Sequence, residues 1–479
     1  MMSSSIGSEH GVLGSDLDEI KGVLNNAHEH LYAVIKDERI RIKQGLEWTQ
    51  LPYQDKKLIK EIKTLGSQIR NKYENVMFLG IGGSYLGLKA AQDAFCPPYY
   101  NEFSSLRKDK PRIYFEGNNL DPDTLSVLLK QLNPKKTFVV VISKSGETTE
   151  TKAVFMAIEK WLKNVIGKNY AKQVIAITDP ESGSLRKKVN KQQLVSKLFF
   201  RNLPLLKGVG GRFSEFNMGL LHLAVIGVDI DEVLKGAGEM AERCASCEIL
   251  KNPAYLYAAL HYILYKKKEK SIAVMMPFSE TLKSTADWYV QLLAESLGKK
   301  YARKIQVSGG LETWQMDLDK IVNVGRTPVS CRGTNDLHSI QQNNIEGRND
   351  KVVTFIKVEK FKNEIKVPVG DEIISGRKFS ELIALAQEAT VWALAQEARP
   401  SCTITLPEVS PYYWGGLLFF LQMATAFEGE LLGVNAFDQP GVEGYKNYMY
   451  YKLGKTGISA DISENIKKHP LVKDNKFIL

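Results

Sequence analysis

The chain has 479 residues, of which 44% are hydrophobic and 25% charged, with a formal net charge of +10. This is the composition of an ordinary globular protein, and it exceeds the roughly 250–300 residues at which single cores stop growing, so two domains are expected. No stretch reaches the roughly 20 apolar residues of a membrane span; the longest candidate, Gly415–Ala426, is short and carries Gln422.

Five scattered cysteines, and a Ser-rich start at Met1–Gly7 without a basic flank, point to a reducing, cytoplasmic setting. Positive charge is spread along the chain. The densest run, Lys266–Lys270, contains Glu269 and reads as a solvated helix end. Such a field favours small anionic substrates. No nucleic-acid and no membrane partner is expected.

In chain order, residues 1–50 read as polar helix with Leu17, Ile20 and Leu24 as a thin apolar stripe and Val23 beside it. His28 and His30 are two apart and do not share a helix face, so no metal role is expected. Asp55–Lys72 is an amphipathic helix with Leu58, Ile59, Ile62, Leu65 and Ile69 on its buried side. Asn75–Leu79 is a strand, followed by Gly80-Ile81-Gly82-Gly83-Ser84 and a helix through Ala90 and Ala94. This loop is not a dinucleotide fingerprint, because Tyr85 occupies the third glycine slot. Nor is it a P-loop, because Leu88 stands where Lys is needed. Its glycines let the backbone approach a ligand closely.

Thr137–Ile142 is an apolar, β-branched run that reads as a strand buried on both faces. It stops at Ser143-Lys144-Ser145-Gly146-Glu147-Thr148-Thr149, and a helical pattern comes next. A helix N-terminus aims unpaired N–H groups at the preceding loop. Capping by Ser or Thr explains one or two of these residues. Four hydroxyls, a Lys and a Gly together point to a phosphate cradle. With Arg112–Phe115 and Gln173–Thr178 as further strands, the alternation predicts a parallel, doubly wound sheet, whose ligands lie at the carboxyl ends of its strands.

Gly210-Gly211-Arg212-Phe213-Ser214 precedes a long apolar helix, Met218–Val228. The glycines free the backbone to place the guanidinium at a helix start; a turn with a surface Arg is the equal alternative. Cys244 and Cys247 form C-x-x-C inside a helical pattern, with no second pair at zinc spacing, so metal and redox chemistry are not expected there. Ser271–Met276 opens a second strand–loop–helix unit, with a helix over Leu282–Leu297, and Val352–Val358 and Thr403–Leu406 are later strands. The predicted plan is a helical extension over 1–50, α/β domains over 51–240 and 241–435, and a C-terminal helical tail over 436–479.

Three residues carry candidate chemistry. Glu295 lies among apolar residues at a helix C-terminus, with Gly298 as the predicted C′ residue. Burial and the negative dipole end would raise its carboxyl toward the range of a general base; a surface Glu is the plainer reading. His338, in Gly333-Thr334-Asn335-Asp336-Leu337-His338, is predicted just inside a helix N-terminus whose dipole keeps the imidazole neutral. Lys446 opens a helix after Phe437-Asp438-Gln439-Pro440-Gly441-Val442-Glu443-Gly444-Tyr445, where pairing with Glu443 is the plainer reading.

GIGGS, SKSGETTET, GGRFS, AESLGK, GTNDLH and FDQPGVEGYK, in this order over Gly80 to Lys446, resemble the phosphoglucose isomerase family. The resemblance implies two sugar-isomerase (SIS) α/β domains, a homodimer, no metal and no cofactor. It implies an aldose–ketose isomerase that interconverts glucose 6-phosphate and fructose 6-phosphate through a cis-enediol. Ser143, Ser145 and Thr148, with backbone N–H groups of Lys144 and Ser84, would hold the phosphate beside Gly83, Gly211 and Gln291. Glu295 would move the proton between C1 and C2, and Arg212 would stabilise the enediolate. His338 and Lys446 would open the sugar ring, and Gln439 would hold the substrate. Two departures stand out: Ser145-Gly146-Glu147 replaces the Thr-Phe-Thr of animal members, and Glu215 stands where a small or apolar residue is expected. Three other readings remain open: isomerisation of another phosphosugar such as mannose 6-phosphate, a phosphosugar-sensing regulator, and a dinucleotide-dependent oxidoreductase. Residues 1–50 show no helix-turn-helix for the regulator, and the broken glycine fingerprint weakens the oxidoreductase.

Overall fold

Thr137–Ile142 is buried at every position, as expected of a β-branched strand with both faces of its sheet covered. It belongs to a computed structural model that describes residues 2–4, 11–108, 110–196, 201–474 and 476. The strands in chain order are β1 (Met2–Ser4), β2 (Asn75–Leu79), β3 (Arg112–Glu116), β4 (Thr137–Ile142), β5 (Val174–Thr178), β6 (Arg201–Pro204), β7 (Ile272–Pro277), β8 (Lys299–Ser308), β9 (Leu311–Val324), β10 (Thr327–Ser330), β11 (Lys351–Lys360) and β12 (Ser401–Glu408).

The first sheet has the order β3-β2-β4-β5-β6 and is parallel throughout. The second has the order β10-β7-β11-β12-β1; its first four strands are parallel and β1 runs antiparallel on β12, with Met2 opposite Ile404. The beginning of the chain is therefore not purely helical. It lends an edge strand to the second sheet before the helices Gly14–Glu19 and Lys21–Lys36. In that region Leu24 is buried while Val23 faces solvent.

Contacts divide the chain into Met1–Phe437, which holds both sheets, and Asp438–Leu479. In the first unit, helix Pro411–Leu432 contains the apolar run Gly415–Ala426 and is buried on nearly every side. A helix apolar all round belongs in a core. It packs closely on helix Ile230–Cys244: a Cβ on Gly236 would lie 1.9 Å from the Tyr412 carbonyl oxygen, and one on Gly415 would lie 2.1 Å from that of Val233. Glycine is what permits this approach. Among the described residues no helix is long and apolar enough to cross a membrane.

Several elements differ from expectation. The predicted helix Met218–Val228 is two helices, Glu215–Met218 and Leu220–Ile226, joined at Gly219 and ended by Gly227 in the left-handed region at φ +76°. Cys244 ends its helix, so the C-x-x-C motif straddles a helix end, with Cys244 buried and Cys247 exposed. Sequence reading missed the β8–β9 ribbon, whose turn is Gly309-Gly310 with both residues at positive φ. That dipeptide between alternating residues is a hairpin signal. The ribbon is anchored to helix Lys21–Lys36 and helix Pro411–Leu432 by charge: the Glu430 carboxylate takes both Arg303 Nη1 (2.5 Å) and Nη2 (2.7 Å), and His30 sits 2.7 Å from Glu430 and 3.0 Å from Glu312.

In the second unit, Pro440–Val442 forms a 3-10 turn, followed by helices Glu443–Lys452 and Ala460–Lys468.

Candidate active site

The order β3-β2-β4 reverses direction between β2 and β4, and crevices at such switch points are where parallel sheets bind ligands. The glycine loop follows β2 and the hydroxyl loop follows β4, so both stand at that crevice. Gly117, after β3, ties them together: its carbonyl accepts from Thr151 Oγ1 at 3.1 Å, and a Cβ on it would lie 3.5 Å from the Gly80 nitrogen.

In the hydroxyl loop, Ser143 Oγ accepts from the Gly146 N–H at 3.0 Å and Ser145 Oγ from the Glu147 N–H at 3.1 Å. Both hydroxyls thus shape the loop, which is the plainer reading. Yet a hydroxyl that accepts keeps its own hydrogen to donate. Thr148 is the N-cap of helix Thr149–Ile166, but its side chain makes no capping hydrogen bond. The loop is braced from below: Ser184 N–H reaches Ser145 O at 2.8 Å, and Thr178 Oγ1 reaches Lys144 O at 3.1 Å. Lys144 and Ser145 are exposed, and Gly146 takes φ +73°.

The glycine loop is pressed against the third wall. A Cβ on Gly83 would lie 2.3 Å from the Gly211 carbonyl and 2.7 Å from the Arg212 nitrogen, and one on Gly82 would lie 2.8 Å from Gln291 Nε2. No larger residue fits at Gly83 without moving that backbone. Gly83, Gly211, Arg212 and Gln291 are therefore neighbours, although they are far apart in sequence.

Arg212 is buried, which decides against a surface turn. Its Nε donates to Ser296 Oγ at 2.8 Å, Nη2 to the Ala436 carbonyl at 2.7 Å and Nη1 to Glu295 Oε2 at 3.3 Å. Gln291 Nε2 donates to Glu295 Oε1 at 3.1 Å from one turn earlier on helix Lys283–Leu297. Gln291 Oε1 is buried and unpaired. Glu295 is half-buried, not enclosed in apolar residues: its neighbours Leu292, Leu293 and Leu297 point into the core, and its own face meets Arg212. Gly298 ends the helix at φ −72°, not in the left-handed region.

His338 is not at a helix N-terminus. It is the last residue of a 3-10 turn, Asn335–His338, exposed, and the next helix begins at Gln341. The helix N-terminus expected at this residue is therefore absent. In the second unit, Gln439 precedes the Pro440–Val442 turn. Lys446 lies in the first turn of helix Glu443–Lys452, with Nζ 2.8 Å from Glu443 Oε1. Burial works against its charge, but the Glu443 carboxylate outweighs it and the ammonium titrates above its ordinary value. Sequence reasoning did not find Ser296 or the Ala436 carbonyl as holders of Arg212. Neither carries a local signal.

A parallel α/β protein with a hydroxyl-lined switch-point crevice and a carboxylate held by a guanidinium nearby is of the class that binds and isomerises phosphorylated sugars. The family model for phosphoglucose isomerase matches residues 49–456, and the chain belongs to that family. It is 40% identical over 444 residues to the glucose-6-phosphate isomerase of Carboxydothermus hydrogenoformans, covering 91% of this chain and 90% of that protein. It is 34% identical over 419 residues to that of Acetivibrio thermocellus, covering 86% and 87%. Among solved structures it resembles a Thermus thermophilus protein described as hypothetical (TM-score 0.77, 32% identity, 92% of this chain and 96% of that one). It also resembles the Chlamydia trachomatis glucose-6-phosphate isomerase in fold (TM-score 0.75, 22% identity, 97% and 92%).

Proposed function

We propose that this protein is an aldose–ketose isomerase interconverting D-glucose 6-phosphate and D-fructose 6-phosphate through a cis-enediol. The observation that carries this reading is the Glu295–Arg212 pair beside the two glycine walls, in a chain of the phosphoglucose isomerase family. Ser143, Ser145, Thr148 and the Lys144 N–H hold the phosphate; the Ser84 N–H, expected to join them, is instead donated to the Ile81 carbonyl at 3.1 Å. Glu295 removes the C2 proton of the open-chain aldose, and the electron pair moves onto the C1 oxygen. Arg212, a fixed cation in a buried setting, stabilises that oxyanion. The O2 hydroxyl gives up its proton to the C1 oxygen, and Glu295 returns its own proton to C1 as O2 becomes the carbonyl. The unpaired Gln291 Oε1 accepts from a sugar hydroxyl. Ring opening by His338 and Lys446, and substrate holding by Gln439, rest on the GTNDLH and FDQPGVEGYK motifs.

The protein works without a metal, as a cytoplasmic homodimer. The apolar residues Val307, Leu318 and Ile321 exposed on the β8–β9 ribbon suit such an association. The deciding experiment supplies purified protein with fructose 6-phosphate and EDTA and follows glucose 6-phosphate through a coupled dehydrogenase. Turnover supports the reading; none, or turnover restored only by a divalent ion, overturns it. Light scattering of the eluting species tests the dimer.

A further inference from the structure

No step above uses Glu215. Its carboxyl is buried. Oε1 accepts from Trp288 Nε1 at 2.6 Å and Oε2 from Gln422 Nε2 at 2.7 Å. Gly87 is packed onto it, since a Cβ there would fall 2.5 Å from Glu215 Cγ. Such placement is costly for a carboxyl unless its oxygens are bonded, so a role beyond filling space is called for.

Trp288 and Glu295 are seven residues apart on one helix, two turns along the same face. Arg212 grips the end of that helix through Ser296 and Glu295, and Glu215 grips it through Trp288. The short segment from Arg212 to Glu215 is thus pinned to the base-carrying helix at two levels, about 10 Å apart along its axis. Ser296, Glu295, Ala436 and the Gly83 backbone hold the segment at the guanidinium end; Glu215 holds its other end.

Resting on the isomerase reading above, we infer that Glu215 is a positioning residue for the proton transfer, acting through Arg212. It holds the guanidinium where the enediolate oxygen develops. Its influence falls on the transition state, because the phosphate that anchors the ground state is held elsewhere.

Three variants test this with fructose 6-phosphate as substrate. Glu215→Leu removes both hydrogen bonds, and kcat should fall about tenfold with KM changed less than about twofold. Glu215→Gln should restore most of kcat: its carbonyl accepts from Trp288, and its amide donates to Gln422 Oε1, unpaired at present, once that amide turns over. Trp288→Phe keeps the packing and removes the Nε1 donor. It should reproduce part of the Leu defect in kcat, including when the Leu variant does not fold. Near-normal kcat in Trp288→Phe, or a Glu215→Gln variant as impaired as Glu215→Leu, overturns the assignment. A loss of melting temperature with unchanged kcat per folded molecule also overturns it. Inactivity of the unaltered protein would instead remove the isomerase reading itself.

Discussion

In the first sheet β2 is flanked by β3 and β4, with β5 beyond β4; in the second, β7 is flanked by β10 and β11, with β12 beyond β11. The two halves repeat one plan and differ in the loops that leave equivalent strands. After β4 come six residues, Ser143–Thr148, tied down by hydroxyls and opening directly into a helix. After β11 the chain runs exposed through residues 361–378 before helix Phe379–Gln396. After β2 the chain turns on glycines; after β7 it passes through Phe278 and Ser279 into helix Lys283–Leu297, which carries Gln291 and Glu295. Topology thus defines where a ligand can lie, and in the proposed isomerase loop chemistry decides which half takes the phosphate and which supplies the base.

Breaking the second half's contribution should have the largest effect. Glu295→Gln keeps size and hydrogen bonding and removes basicity, so kcat should fall by about 10²–10⁴ with little change in KM. Exchange of the C2 proton of glucose 6-phosphate with deuterated water should fall in step. Near-normal turnover and exchange would make Glu295 a structural residue.

Next in size, His338→Ala or Lys446→Ala should lower turnover of the cyclic sugar by about 10². A substrate supplied as the open-chain aldehyde should suffer less. Equal damage to both substrates would move these residues from ring opening to binding or proton transfer.

The first half's contribution is probed by replacing Ser145 and Thr148 together with Ala. Hydrogen bonds to a charged group are worth about 1.5–3 kcal/mol each, so losing two should raise KM about a hundredfold or more with the fold intact. An unchanged KM would detach this loop from the substrate.

The smallest effect concerns stability at the seam between the halves. Burial pushes the Glu215 carboxyl up to about 8 from its ordinary 4.5, against the pull of its Trp288 and Gln422 donors. Between these values the folded chain holds a proton that the unfolded chain has released. This group's contribution is therefore largest below 4.5 and declines as pH rises toward 8, by at most about 1.4 kcal/mol per pH unit. Glu215→Gln removes that proton, so its denaturant midpoint should gain on the unaltered protein from pH 5 to pH 8. Parallel curves would mean that Glu215 titrates normally.

The sequence alone determined the strand–loop–helix units, because β-branched runs such as Thr137–Ile142 and punctuation such as Gly80–Gly83 act over a few residues. Family membership was legible too, since the motifs keep their order over most of the chain. What tertiary structure decided was each side chain's surroundings. His338 sits in the expected segment but ends a 3-10 turn, because a single turn has too few hydrogen bonds to extend without packing behind it. Arg212 read equally as a surface turn; its burial depends on Ser296 and Ala436, more than eighty residues away. Glu215 looked like an anomaly beside Ser214, and its partners Trp288 and Gln422 come from helices that only the packed core brings together. Local periodicity carries no information about such contacts, because they are chosen by which faces must be hidden from water once the elements exist.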